Sequence, residues 1–387
     1  MFSNCILCKS ANIFPVLRLI NQPIVQNVYY HSASQATDVE RCDIQIFGCR
    51  NCQMLFNAAF DEGSDKKNYT ADYKYSPPRT EFFKNYLDEL AQTLINTYGI
   101  QNTEVAEIGC GRPEFLEIIA EKGNNTCVGI DPAAPSQVAD TRITLVQKLF
   151  DGSFYGKVPK LVILRQTVEH ISDPVSFLKK IKESLPEGAY LYIEVPGTEF
   201  SVEHKCLHDF YHEHVGYYTE HSMRYLLEQA GLRPVNLYRS YGNQYWSVVA
   251  VAKTSVIPAP LQINITFMNS LTSLTAMRGA LEAAAQKISQ ESDAWALWGG
   301  GAKGVTFSNI IGNAPLHNLV AVDANPEKKG VFMGGSGVRI YAPEELSDMK
   351  LDTVVIMNAL YKDEITAALQ KYSQGSARVI LYESLFA

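Results

Sequence analysis

Glu107-Ile108-Gly109-Cys110-Gly111 closes one apolar run, and Ile130-Asp131 closes a second about twenty residues later. A strand, a glycine turn, a helix and a strand ending in an acid form the first half of a nucleotide-binding parallel sheet. Gly109 and Gly111 let the backbone approach a ligand, and the Asp131 carboxylate can accept from two ribose hydroxyls. The leading Glu107 and the E-x-G-x-G spacing favour S-adenosylmethionine over a dinucleotide. Pro113 stands where a third small residue is expected, and a first helical turn tolerates it.

At 387 residues the chain is too long for one ordinary domain, and its 46% hydrophobic content fills more than one core. A formal net charge of -7 argues against nucleic-acid and anionic-membrane partners, both of which need basic surface. No apolar run approaches a membrane span, and Met1-Phe2-Ser3-Asn4-Cys5 lacks a signal-peptide pattern, so a cytoplasmic location is expected. In that compartment the eight cysteines call for an explanation other than disulfides.

Four of them form two C-x2-C knuckles, Cys5-Ile6-Leu7-Cys8 and Cys49-Arg50-Asn51-Cys52. Each knuckle supplies two soft sulfurs from one tight turn, and two knuckles together make a tetrahedral zinc site. No position is left open for water, so this zinc is structural. Cys42 lies outside the spacing and reads as a buried or incidental thiol.

The polar, tyrosine-rich stretch 66–80 reads as a connecting loop. Apolar positions at helical spacing follow from Glu81 to about Thr97. Strands are expected at Val105–Ile108, Thr126–Ile130, Ile143–Val146, Lys160–Leu164 and Tyr190–Val195. Helices are expected at Glu114–Lys122, Pro174–Leu185 and Ser222–Ala230, the last ending at Gly231. Residues 234–252 read as antiparallel edge strands. A linker, Ser255-Val256-Ile257-Pro258-Ala259-Pro260, precedes one long amphipathic helix over about Ile265–Ser289. Trp295-Ala296-Leu297-Trp298 then runs into Gly299-Gly300-Gly301-Ala302-Lys303-Gly304, and Leu319–Val322 ends in Asp323. This repeats the strand, glycine turn, helix, strand, acid order. The second turn either binds a nucleotide or allows close backbone packing between domains.

The fold class is therefore α/β, with a small N-terminal zinc module over 1–66. A central doubly wound Rossmann-like domain covers 67–254 with its leading loop and helix, and a C-terminal Rossmann-like domain covers 255–387.

Asp209-Phe210-Tyr211-His212-Glu213-His214 is the densest cluster of proton-transfer groups. It follows the strand ending at Val195, on the side of the sheet where doubly wound folds place their sites. Tyrosine, glutamate and histidine can supply a hydroxyl donor, an orienting carboxylate and a base. The H-x-H spacing also permits a metal, but no third ligand is fixed by sequence. His170, in Val168-Glu169-His170-Ile171, either borders the cofactor or packs at a helix start. His204, His208 and His221 read as solvated.

Taken in order, the paired knuckles, E-I-G-C-G, Asp131-Pro132, R-Q-T-V-E-H-I-S-D-P, E-V-P at 194–196, Y-H-E-H-V-G-Y-Y-T, and the late G-G-G-A-K-G with V-D-A-N-P form a recognisable set. The chain resembles the three-domain sugar C-methyltransferases, which act on nucleotide-linked 4-keto-deoxysugars such as the precursors of mycarose and kijanose. The resemblance covers nearly the whole chain. It implies a zinc module, a central S-adenosylmethionine domain and a nucleotide-linked keto sugar held between the modules. It also implies His214 as base with Tyr211 and Glu213 beside it, and Tyr73 or Tyr75 facing the site. Three stretches depart from the family: Pro113, Tyr241-Gly242-Asn243-Gln244-Tyr245 in place of a G-G-S loop, and Gly334-Gly335-Ser336-Gly337-Val338 in place of P-G-T-H-I.

The expected reaction is methylation of carbon next to a ketone, with His214 removing the proton, Tyr211 donating to the developing charge and Glu213 orienting the histidine. Glu107, Gly109, Gly111 and Asp131 would hold S-adenosylmethionine, and Cys5, Cys8, Cys49 and Cys52 the zinc. The alternatives are an O- or N-methyltransferase on another metabolite, a nicotinamide oxidoreductase using the second glycine turn, and a zinc-containing binding protein with a degenerate site.

Overall fold

The computed structural model describes residues 2–61, 63, 80–252, 264–312, 314–373, 375 and 377–386. Tyr73 and Tyr75 lie outside the described residues. The strands form three sheets.

The first sheet pairs Ile13–Pro23 (β1), Arg41–Cys49 (β2) and Leu55–Asn57 (β3) antiparallel, and both knuckles sit at its ends. Its fourth strand comes from far along the chain: Gly216–Tyr217 (β9) pairs with β3, Leu55 opposite Tyr217 and Phe56 opposite Gly216. The sheet is buried on both faces, as strand alternation allows. Ile44, Ile46 and Leu55 enter a core with Leu274, Trp295 and Phe307, while Met54, Phe56 and Cys49 enter another with Val168, Val195 and Tyr218. The small sheet is thus a filling between the other two units.

The second sheet is built from Glu104–Ile108 (β4), Thr126–Ile130 (β5), Ile143–Val146 (β6), Leu161–Arg165 (β7), Tyr190–Pro196 (β8), Leu232–Ser240 (β10) and Tyr245–Ala252 (β11). Its order is β10-β11-β8-β7-β4-β5-β6, with β4 to β8 parallel and the β10–β11 pair antiparallel. The strand order reverses between β4 and β7, so a crevice opens at their carboxyl ends. The leading helix spans Glu81–Tyr98. Thr80 caps it by accepting from Phe83 N, and Gly99 ends it at φ 65°. Its buried Phe83, Leu87, Leu90, Ala91, Leu94 and Ile95 form the expected stripe. Pro113 is the N-cap residue of helix Glu114–Gly123 and supplies no side-chain cap.

The third sheet holds Trp295–Trp298 (β12), Leu319–Val322 (β13), Ile340–Tyr341 (β14), Thr353–Ile356 (β15) and Arg378–Leu381 (β16), all parallel, in the order β14-β13-β12-β15-β16. The single helix expected over Ile265–Ser289 is broken. Ile265–Ser270 is a short helix, Leu271–Ser273 a 3-10 turn, and Leu274–Glu291 the long helix. Ser270, Thr272 and Ser273 each turn their hydroxyl onto the carbonyl three residues back, which competes with the helical ladder. Among the described residues no helix is long and apolar enough to cross a membrane.

Two of the three stretches that depart from the sugar-methyltransferase pattern carry contacts between units. In the turn joining β10 to β11, Gln244 Nε2 donates to Asn358 Oδ1 at 3.0 Å, and Tyr241 meets Tyr361 through their hydroxyls. In the 334–338 loop, Gly335 N donates to Ala36 O at 2.7 Å, and Arg41 reaches Gly335 O.

Candidate functional site

The two cysteine knuckles come together as the spacing requires. One sulfur from each of Cys5, Cys8, Cys49 and Cys52 lies within 4.8 Å of the others. Cys5 Sγ is 3.5 Å from Cys52 Sγ, and Cys8 Sγ is 3.4 Å from Cys49 Sγ. Both knuckles turn alike, since Lys9 N donates to Cys5 O and Gln53 N donates to Cys49 O, with Lys9 and Gln53 left-handed at φ 59° and 56°. Four free thiols packed this closely, three of them fully buried, make a soft donor set of the kind zinc takes.

The first glycine turn sits over the crevice between β4 and β7. Gly109 has φ 75°, and a Cβ there would lie 2.4 Å from Thr167 Oγ1, so the position admits glycine alone. Asp131 is already engaged: its Oδ2 accepts from Gly111 N at 2.9 Å and its Oδ1 from Ala133 N at 2.7 Å. Each oxygen keeps a lone pair for a further donor. Burial raises the Asp131 carboxyl, and these two N–H groups oppose that. Glu107 is 2% exposed, and its Oε2 has no hydrogen-bond partner among the described residues. Arg165 Nη1 stands 3.7 Å from the other oxygen. Burial pushes the Glu107 carboxyl up to about 8 despite that guanidinium. A buried acceptor short of a donor beside a glycine cradle fits an adenosyl cofactor with its hydroxyls and ammonium.

The 209–217 segment lies across the same end of the sheet. His214 N donates to Tyr211 O, so residues 211–214 form a turn and His212 and His214 face different neighbours. His212 stacks on Phe60, ring centroids 5.4 Å apart. His214 stands 4.0 Å from the Tyr211 ring and 4.8 Å, edge-on, from the His170 ring. Burial, then His170 and Lys303, hold the His214 imidazole well below its ordinary range. Burial likewise lowers His170 to about 4, although the Glu213 carbonyl partly opposes it. Both rings are therefore neutral near pH 7. His170 Nδ1 lies 2.9 Å from Glu213 O, so it carries the proton and Nε2 keeps the lone pair. Glu213 is fully buried, and its Oε2 accepts from Gln26 N of the cysteine module at 2.9 Å.

The histidines expected to be solvated divide. His204 is half-exposed and meets Glu383 at 3.0 Å, but His208 and His221 are buried. His208 lies edge-on to Tyr382, a residue of the third unit.

The second glycine turn is engaged from within. Asp323 accepts from Gly300 N, Asn325 N and the buried Lys328 ammonium, at 2.8, 2.9 and 2.9 Å. At Gly304 a Cβ would lie 2.0 Å from Gly299 O, so the helix packs directly on the turn. Lys303 leaves this turn and reaches Asp209 Oδ1 at 3.0 Å, while Ser201 donates to Asp209 Oδ2 at 2.7 Å. Burial raises the Asp209 carboxyl, but Lys303, His208 and Ser201 together hold it below its ordinary range. The glycine-rich motif was legible; the target of its lysine, nearly a hundred residues back, was not. Gln26 and the pair Arg112–Glu327, at 2.6 Å between the first glycine turn and the third unit, had no sequence signal at all.

Residues 79–237 match the family described as a methyltransferase domain, and residues 263–382 match the C-methyltransferase C-terminal domain. The chain is 21% identical over 333 residues to C-methyltransferase NovU of Streptomyces niveus, covering 80% of this chain and 79% of that one. It is 24% identical over 152 residues to the ubiquinone biosynthesis O-methyltransferase of Hydrogenovibrio crunogenus, covering 37% of this chain and 57% of that one. A solved structure of CalO1, a methyltransferase in calicheamicin biosynthesis in its S-adenosylhomocysteine-bound form, aligns with TM-score 0.35 and 16% identity. That alignment covers 44% of this chain and 54% of that one.

The Asp209–Lys303 contact gives a direct test of how the units are joined. Lys303→Met leaves a buried carboxylate with a hydroxyl and a neutral histidine. Because the Lys303 side chain is 36% exposed, the expected loss is about 1–3 kcal/mol rather than that of a fully buried pair. Chemical denaturation should show most of it restored in the Asp209→Asn/Lys303→Met double variant. A single variant as stable as the parent would mean that the pair contributes nothing.

Proposed function

We propose that this S-adenosylmethionine-dependent methyltransferase, its enzyme class given by the two matched domains, methylates carbon next to the ketone of a nucleotide-linked 4-keto-deoxysugar. The observation that carries the reading is His214, a fully desolvated neutral imidazole against Tyr211, on the segment that crosses the end of the sheet holding the cofactor turn. The NovU relative, named a C-methyltransferase, supports carbon as the acceptor.

Glu107, Gly109, Gly111 and Asp131 would hold the cofactor: the glycines admit its backbone-facing side, and the two carboxylates accept from its hydroxyls and ammonium. S-adenosylmethionine supplies a methyl carbon already electrophilic on a sulfonium. The protein's task is then to make and aim a nucleophile. His214 takes the proton from carbon next to the ketone, and the electron pair moves onto the carbonyl oxygen as an enolate. Tyr211 donates a hydrogen bond to that oxygen. Glu213, anchored by Gln26 N–H, fixes the turn that aims His214. An imidazole held neutral by burial is free to accept a proton near pH 7, the state a general base requires.

Zinc at Cys5, Cys8, Cys49 and Cys52 has a structural part in this scheme. Held by these four cysteines it would fasten the ends of β1, β2 and β3, and β3 carries the strand that follows His214. Purified protein should contain one zinc per chain. Cys49→Ser should lower zinc occupancy and thermal stability together, measured by metal analysis and calorimetry. Metal-free protein of unchanged stability would contradict the assignment.

The base is tested by isotope exchange. With a nucleotide-linked 4-keto-deoxysugar in deuterated water, the parent enzyme should wash deuterium into the carbon next to the ketone. His214→Asn should lose this by roughly 10²–10⁴-fold. It should still bind S-adenosylmethionine, because the cofactor residues lie on other loops. Full exchange and methylation by the variant would remove His214 from the mechanism, and methyl transfer without any exchange would favour an oxygen or nitrogen acceptor.

A further inference from the structure

Glu169 lies in the 3-10 turn Val168–His170 that follows β7, and it is 1% exposed. Its backbone is secured, since Val215 N donates to Glu169 O at 2.8 Å. Its side chain is not: neither carboxyl oxygen has a hydrogen-bond partner among the described residues. Leaving such a group buried and unpaired is unfavourable, so the fold tolerates it at a loss. A carboxyl oxygen of Glu169 and one ring nitrogen each of His170 and His214 all lie within 4.8 Å of one another. His170 donates through Nδ1 to Glu213 O and so presents a lone pair, not a proton, at Nε2. The ring left to offer an N–H toward the carboxyl is His214.

We propose that Glu169 is the proton acceptor behind His214, a positioning residue that lets the neutral imidazole take the substrate proton without becoming an isolated buried cation. The inference rests on the reading of His214 as base. The C–H proton moves to one ring nitrogen of His214, the C–H electron pair becomes the enolate, and the N–H on the opposite nitrogen passes to the Glu169 carboxylate. After methyl transfer the proton held by the pair is released to water, one per turnover. This removes the difficulty that burial creates. An imidazolium at His214 would be opposed by desolvation and by the Lys303 charge, whereas a neutral imidazole beside a neutral carboxylic acid leaves no new charge in the protein.

Burial pushes the Glu169 carboxyl up to about 8, and the charge of Glu194 adds to the rise. The other titratable groups about it are His170, His214 and Tyr218, the last held well above its own ordinary range by burial and by Glu169. Lys303 acts on His214 from the third unit. The active form needs the ionised carboxylate, so exchange should rise with pH, reach half its maximum near 8 and level off above it. The folded carboxyl lies above its ordinary 4.5, so folding loses stability as pH rises between those values. Glu169→Gln removes that loss, so the variant should unfold at no lower temperature than the parent at pH 8.

The experiment measures deuterium wash-in against pH, with the nucleotide-linked 4-keto-deoxysugar that the parent exchanges, for parent, Glu169→Gln, Glu169→Asp and His214→Asn. Glu169→Gln should fall roughly tenfold or more at the plateau and lose the alkaline rise, and Glu169→Asp should recover part of both. Infrared titration of the parent without substrate should show a protonated carboxylic acid that disappears near pH 8 and is missing from Glu169→Gln. A Glu169→Gln variant with the parent's rate and pH profile would overturn the inference while His214 as base still stood. Undiminished exchange in His214→Asn would overturn the base reading, and the inference with it. A second metal ion per chain, lost in Glu169→Gln, would also overturn it by making the cluster a metal site.

Discussion

The pairing of β9 with β3 is the constraint on which the site depends. Two residues, Gly216 and Tyr217, complete a sheet whose other strands lie more than 150 residues earlier. The turn carrying Tyr211, Glu213 and His214 runs directly into that strand. Its geometry is therefore set by the cysteine module as much as by the sheet beneath it. Asn57 N donates to Val215 O, Val215 N to Glu169 O, and Gln26 N to the Glu213 carboxylate. From the other side Lys303 holds Asp209, and Tyr382 donates to Lys205 O. All three units thus grip one segment, residues 205–217. The base proposed at His214 would have to keep its aim within a fraction of an ångström, and a segment fastened from three directions meets that requirement.

Burial sets the electrostatics of this region. The histidines at the centre are neutral chiefly because they are desolvated, and at His214 the Lys303 charge adds to the effect. The carboxyls of Glu107 and Glu169 are pushed up for the same reason, and each lacks a full complement of partners. The ionised acid nearby, Asp209, is the one that meets a lysine. A site of this kind holds little net charge at rest. It suits a reaction that joins a cationic methyl donor to an enolate, in which each charge that appears is cancelled by the next step.

What could be read from the sequence was local. The strand, glycine turn, helix, strand, acid order and the cysteine knuckles each lie within a few dozen residues, and their periodicity and turn chemistry carry the signal. The elements at Thr126–Ile130 and Ile143–Val146 fall where the pattern puts them. The rest depends on which faces meet at long range. The break at Leu271–Ser273 has no glycine or proline to mark it; three hydroxyls bent onto nearby carbonyls make it. Lys303 reads only as part of a glycine turn that either binds a nucleotide or packs closely between domains, and the sequence does not pair it with Asp209. Glu169 carries no reading of its own in the sequence, and only its missing partners single it out. His212 and His214 share a face in an extended chain, and the 211–214 turn separates them.

The central claim, that carbon receives the methyl group, is tested most directly by the position of the label in the product. Incubation with S-adenosylmethionine carrying a carbon-13 methyl group and with nucleotide-linked 4-keto-deoxysugars should give a product whose labelled methyl shows one-bond carbon–carbon coupling to the ring carbon next to the ketone. A labelled methyl bonded to oxygen or nitrogen, with no such coupling, would contradict the account.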